Sequence, residues 1–262
     1  MPEFLLRALV EVVLLGVAGG LLGTWIVLRR LAFFTHAAGS STFPGLVVAG
    51  PWGVPAQAAA LGAGLLYAGG LERLVRRRGA APDAATGLLL VAMLGLGTIL
   101  ASDVYPQVGG ADRLLFGTLL GVDDGDLALS AGVAALAMFA TAAAGRTWLA
   151  TGFEPSTAEG LGVRPALGDA LLLGSLALAV VAALPAVGAL LVGTLLVVPA
   201  ATARLLARDI RTLRTVAVAL AVGEGAAGLL IAYEADLPPG PVIAALGGAG
   251  FLLASLGAAR RP

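Results

Sequence analysis

Three side chains in an otherwise apolar chain have the chemistry to handle an ion. His36 is the only histidine among 262 residues. It lies in FFTHAAGSSTFPG, where His36 and Ser40 stand four apart and share one helical face. Thr35, Ser41 and Thr42 add hydroxyls, and Pro44-Gly45 closes the stretch as a helix breaker. Imidazole is a favoured ligand for zinc and similar ions. One imidazole is too little for a tight zinc site, which takes three or four protein ligands, but a transit site has to be weak enough to release its ion. Two copies about a two-fold axis would supply two imidazoles to a shared path. The plain alternative is a histidine hydrogen-bonded between helices, and the residues alone leave both open.

The third side chain is Glu224, in the middle of AVGEGAAG. A carboxylate within a membrane costs at least about 2.5 kcal/mol on insertion scales, so it invites a functional reading. It could meet a passing cation, carry a proton, or be neutral and hydrogen-bonded. Glu11, in the first apolar run, is read as structural. There is no cysteine and no lysine. The first absence excludes disulfides and thiolate metal sites. The second excludes a P-loop, which needs its lysine, so any ATP that drives this chain is hydrolysed by another polypeptide. The chain is expected to bind no cofactor itself, with ATP-Mg on that partner. Net charge is zero, which suggests no nucleic-acid partner.

The elements that must position these residues are membrane spans. The chain is 59% hydrophobic and 12% charged, and its mean hydropathy is +0.97. Soluble domains carry about 25% charged residues, and a span takes roughly 20 apolar ones. The expectation is an all-α polytopic membrane protein of eight to nine transmembrane helices, one domain over 1–262. Spans are placed near 4–28, 33–50, 54–72, 84–102, 126–145, 167–186, 187–205, 213–233 and 240–258. Eight remain if the second run does not cross. Glu3, Arg7 and Glu11 interrupt the start, which argues against a cleaved signal.

The arginines alternate with these spans. Arg29 and Arg30 follow the first; Arg73, Arg76, Arg77 and Arg78 the third; Arg146 and Arg164 the fifth. Arg204, Arg208, Arg211 and Arg214 follow the seventh, and Arg260 and Arg261 the ninth. Only Arg7 and Arg113 fall on the opposite side. Cytoplasmic loops are enriched in arginine and lysine. That places the N-terminus outside and the C-terminus in the cytoplasm of a plasma-membrane protein.

Two interruptions point to a pathway. VGALLVGTLLVVPAATAR (187–204) carries Pro199 near its far end, with Thr202 beside it, and the second span carries Pro44-Gly45. Proline removes a backbone donor and frees a carbonyl. In lipid such groups survive where protein or a water-lined cavity surrounds them. Paired broken spans mark the substrate path in repeat-built transporters. The alternative at Pro199 is a kink tolerated by packing. Two loops also stand out. Leu114–Val122 is apolar but too short to cross, so it re-enters or packs across the outer mouth. In the basic loop, Glu154, Pro155 and Ser156 start a short helix that Ala158, Glu159, Leu161 and Gly162 would end. This segment, 153–163, suits docking to a soluble subunit or is a solvated turn.

Four stretches resemble the permease subunits of zinc and manganese ABC importers, the ABC-3 family. They are GLLGTWIVLRRLAFFTHAAGSSTFPG, LLFGTLLGVDDGDL, EPSTAEGLGV, and VGALLVGTLLVVPAATARLLA followed by DLPPGPVI. The resemblance implies a type II ABC importer-like permease that moves a divalent transition metal by alternating access. It implies four kinds of neighbour: a cytoplasmic ATP-binding cassette subunit touching 153–163, an extracytoplasmic solute-binding protein, a second permease copy (identical or a close homologue) and the lipid bilayer. The family's second span carries an aspartate followed four residues later by a histidine, close before a P-G pair. Anchored on Pro44-Gly45, those positions here are His36 and Ser40, imidazole for carboxylate and hydroxyl for imidazole. An ion-coupled secondary transporter using Glu224, or an ABC permease for a non-metal substrate, is the alternative.

Overall fold

The computed structural model describes residues 2–105, 115–153 and 165–258, and these are helical with short connections. The helices are α1 (Glu3–Leu28), α2 (Ala32–Ser40), α3 (Phe43–Trp52), α4 (Ala56–Glu72), α5 (Pro82–Ile99), α6 (Asp124–Phe153), α7 (Pro165–Leu206), α8 (Ile210–Ala235) and α9 (Pro239–Ala258). Single π-helical turns extend α4 over Arg73–Arg77 and α5 over Leu100–Val104. Among the described residues, six helices are individually long and apolar enough to cross a bilayer.

The contacts show how often the chain crosses. Arg7 pairs with Asp124, Ser130 meets Glu11, Trp25 meets Thr141 and Arg29 meets Thr151. Partner numbers rise together, so α1 and α6 run parallel. α8 runs the other way, because Val12 faces Gly225 while Gly20 faces Val218. α7 is 42 residues long, about 63 Å at 1.5 Å per residue and twice the bilayer core. It folds back at Gly188, whose φ of 75° and ψ of 165° are not helical. Asp169 in its first arm (165–187) bonds Arg29. Ala203 in its second arm (189–206) shares a core cluster with Leu213 and packs by Val27 and Leu28. Both ends of α7 therefore lie at the arginine-bearing end of α1. Counting α2–α3 as one pass and α7 as two gives nine among the described residues, in agreement with the expected eight to nine.

Two glycines make the reversal possible. Gly188 and Gly117 both have φ of 75°, a region L side chains rarely adopt. A Cβ on Gly188 would strike the Leu115 carbonyl and the Gly117 nitrogen; a Cβ on Gly117 would strike Ala186 and the Gly188 nitrogen. Thr118 N–H donates to the Pro185 carbonyl at 2.8 Å. The segment after residue 114 thus packs across the acidic end of the bundle, backbone against backbone.

The core is a seam of small residues around α1. Gly16 and Gly20 let α8 approach through Val222 and Val218, and Gly19 and Gly23 admit Leu195, Leu196 and Ala200 of α7. In lipid such close packing, with interhelical hydrogen bonds, replaces the hydrophobic drive. Trp25 and Trp148 stack edge to face at 5.2 Å, and Trp148 Nε1 donates to the Gly168 carbonyl at 2.7 Å.

Candidate functional site

The second pass breaks between α2 and α3, at Ser41 and Thr42. Pro44 is therefore not the break itself; it sits in the first turn of α3, where its missing N–H costs nothing. The carbonyl of Ser40, four residues before it, loses the donor a continuous helix would offer. Thr42 Oγ1 caps the Gly39 carbonyl at 2.7 Å, and Thr35 Oγ1 bonds the Leu31 carbonyl at 2.8 Å. Gly45 has work of its own: a Cβ there would strike the Ala59 carbonyl of α4. The Phe43-Pro44-Gly45 run so fixes α4 and α5 about the break, with Gly97 of α5 against the Phe43 ring.

His36 lies one turn before the break and is half-buried. It packs on Gly193 of the second arm of α7, where an added Cβ would come within 2.8 Å of Nδ1. Ser40 and Ser41 are buried, at 1% and 0% exposure, and neither Oγ has a hydrogen-bonding partner. Burying a hydroxyl unpaired costs about 1–3 kcal/mol on mutational scales. The break therefore holds two unpartnered hydroxyls, four and five residues along the chain from the one imidazole.

Glu224 is elsewhere. Its carboxylate points at Gly247 and Gly250 of α9. It borders a cavity of about 10 Å³, the space of a single water, with Thr194, Val198, Pro199 and Gly240. α2 meets the second arm through Ala189, Val192 and Gly193, while this cavity meets it through Leu191, Thr194, Leu195 and Val198. At 100° per residue these sets lie on opposite sides of the helix. Within one chain the second arm stands between His36 with Ser40 and Glu224. Among the described residues no three His, Cys, Asp or Glu side chains come together to hold a metal.

The expected break at Pro199 is not there: α7 stays helical through it, and the interruption is at Gly188 instead. Thr202 Oγ1 bonds the Val198 carbonyl at 2.9 Å. Close packing of α1 on Leu195 and Leu196 holds the helix across the lost donor. The proposed ATPase contacts Glu154, Pro155, Ser156, Ala158, Glu159, Leu161 and Gly162 lie outside the described residues.

Two anchors carry no local sequence signal. Arg29, 14% exposed, bonds both Asp169 and Thr151, tying α1, α6 and α7 together at one end. Glu11, fully buried, takes the Ser130 hydroxyl at 2.6 Å. The partners are more than 100 residues apart in sequence, beyond any motif.

This architecture matches known proteins along its whole length. The profile of the ABC 3 transport family covers residues 1–258. The chain belongs to the ABC 3 transport family. It is 30% identical over 241 residues to the manganese import system permease protein ScaB of Streptococcus gordonii, covering 92% of this chain and 86% of ScaB. It is 27% identical over 252 residues to a probable iron transport system membrane protein of Haemophilus influenzae, covering 96% and 93%. The solved structure of PsaBC from Streptococcus pneumoniae in complex with Fab superposes with a TM-score of 0.87 at 27% identity, covering 97% of this chain and 91% of that one. The family resemblance read from the four sequence stretches is thereby confirmed, and this ABC 3 chain is a multi-pass membrane permease.

Proposed function

We propose that this permease imports a divalent first-row transition metal, manganese before zinc, by alternating access powered by a separate ATPase. The observation that carries the reading is the interrupted second pass, where His36 lies one turn from the two unpartnered hydroxyls of Ser40 and Ser41. A set of one imidazole and several oxygens, with no thiolate in the chain, leans toward manganese rather than the softer ions. The ScaB relative is a manganese permease by name, and the Haemophilus influenzae relative a probable iron one. One such set is sparse, so a second permease copy completes the path, each copy bringing its His36 and Ser40. Glu224 lies on the far side of the second arm against Gly247 and Gly250 of α9, apart from this set. The arginine-bearing end faces the cytoplasm, by the enrichment of basic residues there. There the cassette ATPase engages 153–163, while the solute-binding protein delivers cargo at the acidic end.

The experiment is metal-dependent ATPase activity and uptake by the reconstituted complex, with binding protein, scanned over manganese, zinc, iron and cobalt. Manganese should stimulate most, and His36→Ala should abolish the stimulation while leaving basal hydrolysis. Equal rates with and without every metal would transfer the reading to a non-metal substrate. Uptake without any ATPase, collapsed by a proton ionophore, would transfer it to secondary transport.

A further inference from the structure

On the outside of α1 and α8 runs an open groove of about 830 Å³. Its walls are Leu21 of α1 and Val218 and Val222 of α8, and its polar residues, Arg211, Arg214 and Thr215, are gathered at one end. The groove runs from Arg211 to Gly223, twelve residues or about 18 Å along the helix. That is close to the depth of one leaflet, half of a core about 30 Å thick plus part of its headgroup layer. The charged end lies at the arginine-bearing side, since Leu213 packs with Ala203 and beside Leu28.

The two guanidiniums are the informative part. Neither forms an ion pair with a described residue. Asp209 lies close enough to Arg211 to feel its charge, but its oxygens are engaged by Thr212, accepting from its N–H at 2.9 Å and its hydroxyl at 2.7 Å. Arg214 has no such neighbour among the ion pairs of the described residues. We propose that this groove binds an anionic phospholipid of the arginine-side leaflet, its phosphate on Arg211 and Arg214 and an acyl chain along Val218 and Val222 against Leu21. Charge complementarity selects this occupant. A zwitterionic lipid brings its own cation to the two arginines. A soluble subunit stops at the headgroups and leaves the apolar 12 Å or so of the groove unfilled. Basic clusters at this depth attract anionic headgroups. The site would couple lipid composition to the packing of α8 on α1.

The test uses the full-length permease in detergent, stripped of lipid and titrated with phosphatidylglycerol or phosphatidylcholine, with binding read by native mass spectrometry and by melting temperature. Wild type should retain phosphatidylglycerol preferentially and melt higher with it. Arg211→Gln with Arg214→Gln should weaken that binding roughly 30-fold, since each arginine near a charged leaflet contributes about a factor of five. Val218→Trp should block the lipid by filling the groove while both arginines remain. Equal retention of both lipids by wild type overturns the proposal, and needs no variant to fold. So does unchanged phosphatidylglycerol binding in the arginine double variant. Efficient disulfide cross-linking of Val218→Cys between two copies in native membranes would overturn it too, giving the groove to a protein interface.

Discussion

Ser130 Oγ donates a hydrogen bond to Glu11 Oε1 across the seam between α1 and α6, at 2.6 Å and with both side chains fully buried. One level toward the acidic end, Arg7 of α1 reaches Asp124 of α6 at 3.3 Å. At the opposite end Arg29 bonds Thr151 of the same helix. With Trp25 Nε1 donating to Thr141 Oγ1 at 3.3 Å, the two parallel helices are fastened at four heights, and the two inner fastenings are buried.

Burial decides what removing the Ser130–Glu11 bond costs. Glu11 Oε2 has no partner, so Ser130 is the one group satisfying the carboxyl. Ser130→Ala should leave a buried acid wholly unpaired and lower stability by about 1–3 kcal/mol. Glu11→Gln keeps an acceptor for Ser130 and should cost less. Thermal melting of the purified permease checks the order; a Ser130→Ala protein as stable as wild type would show that the hydroxyl contributes nothing.

Gly193 should be intolerant of any side chain. A Cβ there would lie 2.7 Å from His36 Cα and 2.8 Å from Nδ1, closer than packed atoms sit, and the neighbour is helix backbone. Gly193→Ala is expected to push α2 away from α7 and cut metal-stimulated transport at least tenfold, with expression retained. Gly174, which has open space around its added Cβ, is the control. Gly174→Ala should transport normally in the same uptake assay.

Most of the architecture could be read before the structure, because a bilayer leaves few choices: apolar runs of span length must be helices. Gly188 was harder. The reversal within 165–206 needs a left-handed residue, but a chain with 38 glycines hides the one that matters, while Pro199 draws attention to a place where the helix continues. In the second pass the proline was one turn away from the effect, since it acts on the Ser40 carbonyl four residues back. His36 and Ser40 were legible through their spacing. That Glu224 lies across α7 from them was not, because only tertiary packing places three helices about one. The pairs Arg29–Asp169 and Glu11–Ser130 join distant segments and have no local signature.

Asp209 should make the start of α8 sensitive to acid. The Thr212 backbone N–H, then its hydroxyl, hold this carboxyl below the usual carboxylate range. A depressed folded-state value means stabilisation is present at neutral pH, above the unfolded value of about 3.9, and is lost as pH falls through the folded one. Asp209→Ala should therefore melt below wild type at pH 7, with the gap closing at pH values under about 4. Melting curves over pH 3–8 on both proteins check this. A gap independent of pH would mean the loss comes from something other than the ionised cap.

Pro199 offers a way to separate stability from motion. α7 is helical on both sides of it, yet the Leu195 carbonyl has no N–H to receive from position 199. Pro199 also borders the small cavity beside Glu224, on the side of the second arm that faces α8 and α9. Thr202, bonded to the Val198 carbonyl, steadies the adjacent turn. We expect Pro199 and Thr202 to form the hinge on which the second arm bends during transport. Pro199→Ala restores the missing donor, and should raise the melting temperature while lowering the transport rate several-fold. A proline inside a helix costs about 3 kcal/mol, so a rise of up to roughly 6–12 degrees is the scale to look for. Thr202→Val, losing one hydroxyl contact, should instead lower the melting temperature slightly. If Pro199→Ala is more stable and transports at the wild-type rate, bending at that position plays no part in the cycle.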